Sequence, residues 1–417
     1  MKNDLDLNNS PIKTSPPSRG GVGGEASIKT SPPSRGGVGG EAPIKTSPPS
    51  RGGVGGEASI PPPSGELEGV AHEASILVTG AAGFIGSNLV RQLFARYPGV
   101  HIVGLDNLND YYDPALKRRR LAQIEALHAD WTFVRADIAD RDALFALFAR
   151  HRFTIVVNLA AQAGVRYSID HPDAYITSNI VGFYNILEAC RRHPVAHLVY
   201  ASSSSVYGAN SKVPYSTDDA TDTPVSLYAA TKKSNELLAH AYSRLYDIPA
   251  TGLRFFTVYG PAGRPDMAYY KFTEMLLAGK TIPLYNYGRC QRDFTYIDDV
   301  VEAVIRVMRH APRRRPGDDG LPVPPCRVYN VGNSSPVELL RFVTILQEEL
   351  VRARLLPPDY DFAAHRSLVP MQPGDVVATF ADTTPLRRDF GFRPSTPLRD
   401  GLRAFAEWYA REGKRGR

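Results

Sequence analysis

Between Ser75 and Gly86 the chain reads Ser-Ile-Leu-Val-Thr-Gly-Ala-Ala-Gly-Phe-Ile-Gly, and no other stretch restricts the fold as tightly. Ile76, Leu77 and Val78 form an apolar run of the kind buried on both faces of a parallel sheet. Thr79 to Gly83 predicts a tight turn, and Phe84 to Arg96 a helix with Ile85, Leu89, Leu93 and Phe94 on its inner side. A side chain at Gly80 or Gly83 would keep a pyrophosphate away from the backbone, and one at Gly86 would push the helix off the sheet. The helix start, where Phe84 and Ile85 sit between the glycines, offers unpaired amides and a positive dipole end to phosphates.

Glycine triplets also make ordinary turns, and the setting separates this one from them. Twenty residues past Gly86, the run Val100-His101-Ile102-Val103-Gly104-Leu105 ends in Asp106, with Asn107 behind it. A carboxylate there accepts hydrogen bonds from ribose hydroxyls and repels a 2′-phosphate. Strand, turn, helix and acidic strand end predict a dinucleotide site that favours NAD over NADP. The basic run Lys117 to Arg120 argues the other way.

The first seventy residues are of another texture. Residues 12–27, 28–43 and 44–59 are three copies of one sixteen-residue unit rich in Gly, Pro and Ser, with Ile and Val as its only sizeable apolar side chains. Such a unit cannot bury enough surface to offset chain entropy, so residues 1–72 are expected to be a disordered tail. At a net charge of +1 per copy it is too dilute for a nucleic-acid arm.

For the whole chain the net charge is +6, and runs such as Lys117-Arg118-Arg119-Arg120 and Arg313-Arg314-Arg315 read as solvated faces. The three cysteines, Cys190, Cys290 and Cys326, have neither metal-ligand spacing nor even pairing, so no metal site is expected and a reducing cytoplasm is the simplest setting. No run of about eighteen apolar residues suits a membrane span, and the start of the chain lacks the order of a signal peptide.

Beyond the first unit, strand and helix keep alternating. Trp131 to Val134 predicts a strand leading to Asp137-Ile138, a place to meet an adenine edge. Asp142 to Arg150 reads as a helix, and Thr154 to Leu159 as a strand delivering the small residues Leu159-Ala160-Ala161, over which a cofactor could lie close. Asp173 to His193 reads as one long helix, with Asn179 either bonding a phosphate or facing solvent. His197 to Ser202 is a strand, Ser226 to Tyr246 a helix, and Ala250 to Phe255 a further strand. This alternation predicts an α/β chain with a doubly wound parallel sheet. From Thr257 Gly, Pro and aromatic residues dominate, as expected of a smaller, discontinuous lobe that covers a substrate. The expected division is 73–256 plus about 290–335 for the dinucleotide-binding unit, with 257–289 and 336–417 for the lobe.

Tyr228 and Lys232 lie four apart in the predicted helix, so both side chains leave one face. An ammonium beside a tyrosine stabilises the phenolate and makes it a general base near neutral pH. Ser203, at the end of the strand before, could donate to the same alcohol oxygen. Base, hydroxyl and a neighbouring hydride acceptor describe reversible oxidation of a secondary alcohol.

Together with Asn158-Leu159-Ala160-Ala161, Ser202-Ser203-Ser204-Ser205-Val206-Tyr207-Gly208 and Arg254-Phe255-Phe256-Thr257-Val258-Tyr259-Gly260-Pro261, these motifs resemble the extended short-chain dehydrogenase/reductases, specifically the nucleotide-sugar epimerases. The likeness spans about residues 75 to 410. Within the family the runs Asp106-Asn107-Leu108-Asn109-Asp110-Tyr111-Tyr112-Asp113, Gln162-Ala163-Gly164-Val165-Arg166-Tyr167-Ser168 and Gly263-Arg264-Pro265-Asp266-Met267-Ala268 look like those of UDP-glucuronate 4-epimerases. The resemblance implies a Rossmann-type fold, NAD held through the reaction cycle, and Ser203, Tyr228 and Lys232 as the catalytic trio. It also implies a UDP-sugar substrate touched by Arg166, Ser204, Ser205, Arg292, Gln372 and Asp375. A homodimer packed through the helices near 173–193 and 226–246 follows from the same likeness.

Sister dehydratases and decarboxylases of this family usually carry acidic residues just after the Ser203 position, where this chain has Ser204 and Ser205. UDP-glucose 4-epimerase is the nearer rival, and a non-catalytic NAD-binding protein would have no need of Tyr228 and Lys232. Oxidising a glucuronate at carbon 4 creates a β-keto acid that loses carbon dioxide unless its carboxylate is held out of line. Arg264 offers a fork for that carboxylate and Thr257 a hydroxyl.

Overall fold

The computed structural model describes residues 75–371 and 377–412. The expected tail over 1–72 and the expected UDP contacts Gln372 and Asp375 lie outside the described residues. Six strands run in chain order through the first half: β1 (Ser75–Thr79), β2 (His101–Asp106), β3 (Trp131–Arg135), β4 (Ile155–Asn158), β5 (His197–Ser203) and β6 (Ala250–Phe255). They are followed by β7 (Thr257–Tyr259), β8 (Ile282–Leu284), β9 (Gln291–Tyr296), the short pair β10 (Arg315–Pro316) and β11 (Pro322–Val323), β12 (Cys326–Val331), β13 (Pro336–Glu338), β14 (Arg366–Leu368) and β15 (Ala378–Thr379).

The large sheet has seven strands in the order β12-β6-β5-β4-β1-β2-β3, all parallel. Chain order reverses between β1 and β4, which puts a crevice at their carboxyl ends. The apolar run of β1 divides its side chains as a strand must. Ile76 and Val78 join the core beneath the helices Phe84–Arg96 and Ile297–Met308, while Leu77 joins the opposite core with Leu144, Phe148 and Ile186. Helices cover both faces, so the expected doubly wound α/β architecture is what the chain adopts. On the first helix Leu89, Leu93 and Phe94 are buried as expected, Phe84 is buried too, and Ile85 packs against the core while only partly buried.

Outside this sheet, β9 forms a four-stranded arrangement with β13, β15 and β7, and β8 pairs with β14. A separate core forms here, from Tyr269, Phe294, Phe342, Leu346, Leu402 and Phe405, with Phe294 stacked on Phe342. This is the smaller lobe. Among the described residues no helix is long and apolar enough to cross a membrane.

The expected single helix over 173–193 is instead three pieces. An α-helical turn Pro172–Tyr175 leads into a π-helical segment Ile176–Gly182 and then the helix Phe183–Arg192. Asn179 sits in the widened segment, where its carbonyl accepts from the Asn235 amide at 2.6 Å. That side-chain bond to the main chain accompanies the local departure from regular α-helix pairing.

Candidate active site

The glycine turn connects β1 to the first helix at the crevice. Gly80 has φ of +68°, and a Cβ there would lie 2.8 Å from the Ala160 amide nitrogen at the end of β4. A Cβ on Gly86 would come within 2.2 Å of the Gly80 carbonyl oxygen. The turn's own closure and the abutting strand thus demand glycine at these positions, ahead of any clash with a ligand or with helix packing. Gly83 occupies the cap of the helix and supplies no side-chain bond, so the first-turn amides of Phe84, Ile85 and Gly86 keep no intrahelical partner. A cradle without side chains in front of a positive helix end suits a pyrophosphate.

Asp106, at the end of β2, is buried. Its Oδ2 accepts from the Ala82 amide at 3.2 Å and its Oδ1 from the Leu108 amide at 2.9 Å, with Lys117 Nζ 3.5 Å away. The carboxylate therefore faces the glycine turn. Asn107 donates to Asp137 Oδ2 at 2.7 Å, joining the ends of β2 and β3, and Ile138 is buried beside Gly182. Leu159, Ala160 and Ala161 are half-buried at the end of β4, with the Ala160 amide bonded to Thr79 Oγ1 at 3.2 Å. These residues fit a dinucleotide.

Asn179 neither faces solvent nor points a free amide into the crevice. Its Oδ1 accepts from the Gln162 amide at 2.8 Å, and its Nδ2 donates to the Gln162 carbonyl at 3.0 Å and to Thr231 Oγ1 at 3.1 Å. The role visible here is to clamp the strand end that follows Ala161.

Two residues that composition alone would leave on the surface belong to the site. Lys117 is 5 % and Arg120 2 % exposed, and three-residue spacing on the helix Pro114–Glu125 turns both inward. The reading of this run as a solvated face is corrected for these two. Arg120 donates to the Ala82 carbonyl at 3.0 Å, to Tyr112 Oη at 2.7 Å, to the Ala262 carbonyl at 2.6 Å and to the Gly263 carbonyl at 3.1 Å. It ties the glycine turn to the loop that carries Arg264.

Ser203 ends β5, and its Oγ accepts from the Ser205 amide at 3.1 Å. Tyr228 stands one residue inside the helix Leu227–Tyr246, which Ser226 caps by accepting from the Ala229 amide. Burial raises the Tyr228 phenol above its ordinary pKa; the Ser203 hydroxyl and the Arg264 charge oppose that rise, while Asp266 adds to it. Lys232 is buried and donates to the Ala201 carbonyl at 2.9 Å. Burial draws its pKa down to about 8. The guanidinium whose charge reaches Tyr228 here is thus Arg264, a contribution the four-residue Tyr–Lys spacing did not suggest.

Under this surface lies a rigid support. Ser202 donates to Glu236 Oε1 at 2.6 Å, and Arg254 makes a two-toothed pair with the same carboxylate, 2.8 Å on each side. Ser204 and Ser205 are half-buried in the single helical turn Ser204–Tyr207. Thr257 opens β7, where the chain leaves the large sheet to pair with β9 at Phe294. Arg264 and Asp266 form a fork-to-fork pair with Nε–Oδ1 3.0 Å and Nη2–Oδ2 2.5 Å, at 25 % and 30 % exposure of their side chains. Tyr111 donates to Asp266 Oδ2 at 3.1 Å, and Tyr175 meets Tyr228 edge-on at 6.0 Å. Arg166 is exposed over the Tyr285 ring, and Arg292 on β9 donates to the Val377 carbonyl at 3.4 Å, beside β15.

Comparison with known proteins agrees with this geometry. Protein CapI of Staphylococcus aureus is 48% identical over 340 residues, covering 80% of this chain and 98% of that protein. UDP-glucuronate 4-epimerase 4 of Arabidopsis thaliana is 47% identical over 341 residues, 80% of this chain and 75% of its own length. The crystal structure of UDP-glucuronic acid 4-epimerase from Bacillus cereus, in complex with UDP-glucuronic acid and NAD, superposes with a TM-score of 0.70 at 32% identity, covering 81% of this chain and 99% of that one. Residues 76–332, from the first strand of the large sheet to its last, match a single family model. The chain belongs to the NAD dependent epimerase/dehydratase family.

Proposed function

We propose that this protein is an NAD-dependent UDP-glucuronate 4-epimerase, interconverting UDP-glucuronate and UDP-galacturonate through a transient 4-keto sugar. The observation that carries the reading is that the helix bearing Tyr228 and Lys232 meets the carboxyl end of β5, where Lys232 donates to the Ala201 carbonyl two residues before Ser203, in a sheet whose first strand ends in the glycine cradle. Similarity to the Arabidopsis and Bacillus cereus epimerases supports it.

Gly80, Gly83, Phe84, Ile85 and Gly86 would receive the pyrophosphate of NAD, Asp106 and Asn107 a ribose, Asp137 and Ile138 the adenine, and Leu159 to Ala161 the nicotinamide half. Bound there, NAD would supply the acceptor for the hydride of carbon 4 and, once the ring has turned, its return to the opposite face of that carbon. Tyr228 takes the proton of the 4-hydroxyl, and Ser203 holds the same oxygen as it becomes a ketone. Lys232 keeps a positive charge below the phenol and anchors the end of β5. After the ring turns, Tyr228 returns the proton to the oxygen on the other face. Arg166, Arg292, Gln372 and Asp375 hold the UDP moiety, while Ser204, Ser205, Thr257 and Arg264 surround the sugar. Residues 73–256 with about 290–335 form the NAD unit, and 257–289 with 336–417 the lobe that closes over the nucleotide sugar.

Exposed Ile176, Val181, Leu237 and Leu245 on the segments Ile176–Gly182 and Leu227–Tyr246 support a homodimer packed through these helices. Three free cysteines are consistent with action in the cytoplasm.

One observation favours a second reading. Asp266 already occupies one edge of Arg264, as it could in a UDP-glucose 4-epimerase with no carboxylate to hold. Incubating the purified protein with UDP-glucuronate and with UDP-glucose, and separating the products by chromatography, decides between them. UDP-galacturonate as the main product supports the proposal; UDP-galactose alone replaces it with the rival.

A further inference from the structure

The pairing of Arg264 with Asp266 bears on how an epimerase can grip a carboxylate and still let the sugar turn. A guanidinium offers two forked edges on its head, Nε/Nη2 and Nη1/Nη2. Asp266 takes the first with both of its oxygens, at 3.0 and 2.5 Å, which fixes the plane of the group and does not use the second edge. Asp266 is itself steadied by the Tyr111 hydroxyl at 3.1 Å, and the Tyr111 ring rests edge-on against Tyr167 at 4.8 Å. Arg264 holds the Asp266 carboxyl below its ordinary pKa, so the counter-charge persists through the neutral range. Both side chains remain partly exposed, and both act on the Tyr228 phenol with opposite sign.

An uncompensated arginine in such a site would bind a substrate carboxylate tightly in one pose. Turning the ring moves that carboxylate, so a tight grip becomes a barrier to the second half of the reaction. We infer that Asp266, held by Tyr111, is a positioning residue that orients Arg264 and shares its charge, so that the substrate's carboxylate is held during oxidation and released for the turn. The inference rests on the proposed uronic-acid reading.

The test combines affinity with turnover. In a Tyr228→Phe background, where chemistry is halted, dissociation constants for UDP-glucuronate and UDP-glucose are measured by calorimetry with and without Asp266→Asn. UDP-glucuronate should bind about three- to tenfold tighter once the counter-charge is gone, with UDP-glucose unchanged. The gain should vanish when Arg264→Gln is added. With Tyr228 restored, Asp266→Asn should lower both KM and kcat for UDP-glucuronate, kcat by about tenfold or more. An unchanged or weakened preference for UDP-glucuronate, or a gain that survives Arg264→Gln, overturns the inference. Asp266→Ala repeats the comparison should the asparagine variant fail to fold. If the unaltered protein leaves UDP-glucuronate untouched, the functional reading falls first, whatever Asp266 does.

Discussion

Lys232 donates its ammonium to the Ala201 carbonyl at 2.9 Å, two residues before Ser203 on the same strand, and Tyr228 stands one helical turn earlier on the same helix. Helix and strand are thereby tied together next to Ser203. Because a base acts mainly in the transition state, Tyr228→Phe should reduce kcat about 10²- to 10⁴-fold and leave nucleotide-sugar affinity nearly unchanged. Product chromatography and calorimetry check the two halves. Turnover close to normal would remove Tyr228 from the mechanism.

Lys232 gives a distinct signature in the pH profile. Burial holds the Tyr228 phenol above its ordinary pKa, so kcat/KM should rise with pH as the phenolate forms. Replacing Lys232 by Met removes the ammonium proposed to lie below the phenol and should carry that rising limb to higher pH by about one unit, besides lowering kcat. A limb that stays in place while kcat falls would assign the tuning of the phenol to Arg264.

Cofactor choice rests on Asp106. A 2′-phosphate would meet its carboxylate, fixed by the Ala82 and Leu108 amides. The basic neighbour Lys117 is occupied at 3.5 Å from that carboxylate and at 2.7 Å from Asn109 Oδ1. Apoprotein titrated with the two dinucleotides should favour NAD over NADP by about tenfold or more, the equivalent of about 1.4 kcal/mol. Equal affinities would remove Asp106 from the ribose.

Much of this was legible in the chain, and the boundary has a physical reason. Strand alternation at Ile76-Leu77-Val78 and the Gly80-Gly83-Gly86 spacing are local properties, and both appear as the sequence suggests. Arg120 was not legible, because its partners other than Tyr112 lie 38 and over 140 residues away and are main-chain carbonyls without a residue signature. The π-helical segment around Asn179 was hidden for the same reason: Asn235, which bonds its carbonyl, is distant in sequence. The Arg264–Asp266 pair was within reach, since the two residues are neighbours but one, yet a loop arginine by itself does not reveal which carboxylate it meets.

Arg120 leads to a prediction of its own. Its guanidinium is buried and joins Ala82 to Ala262 and Gly263. Arg120→Met should leave those carbonyls short of donors and destabilise the fold by about 2–4 kcal/mol, seen in denaturant titration. It should also raise the KM for the nucleotide sugar through the displaced Arg264 loop. A stability change without a KM change would confine Arg120 to a structural part.

His197 predicts an acid-labile fold. Its Nδ1 lies 3.1 Å from the Met308 carbonyl and must donate to it, so Nε2 accepts from the Thr251 hydroxyl at 2.8 Å in the neutral ring. Burial lowers its pKa to about 4, against 6.5 in an unfolded chain. The unfolded state therefore takes up a proton that the folded state refuses. Stability from this group is complete above pH 6.5 and is lost as pH falls toward 4, to about 3 kcal/mol in all. Thermal melts should fall over that window and flatten in His197→Gln; parallel slopes for the two proteins would place the effect elsewhere.

The sharpest separation of a uronic-acid enzyme from one for neutral sugars is at Arg264. A 4-keto glucuronate sheds carbon dioxide when the carboxylate bond aligns with the ketone's π system, so the protein must hold that group out of line as oxidation creates the ketone. The Nη1/Nη2 edge of Arg264, on a loop that Arg120 ties to the glycine turn, is the grip proposed for this, with the Thr257 hydroxyl at the start of β7 as its proposed companion. Removing the fork should therefore change the product as well as the rate. In Arg264→Ala and Arg264→His, turnover of UDP-glucuronate should fall by about tenfold or more, and a UDP-pentose should appear beside the epimer. Chromatography with mass detection reads both. If neither variant yields pentose and each keeps its preference for UDP-glucuronate over UDP-glucose, the carboxylate is held by another group and the role given to Asp266 falls with that of Arg264.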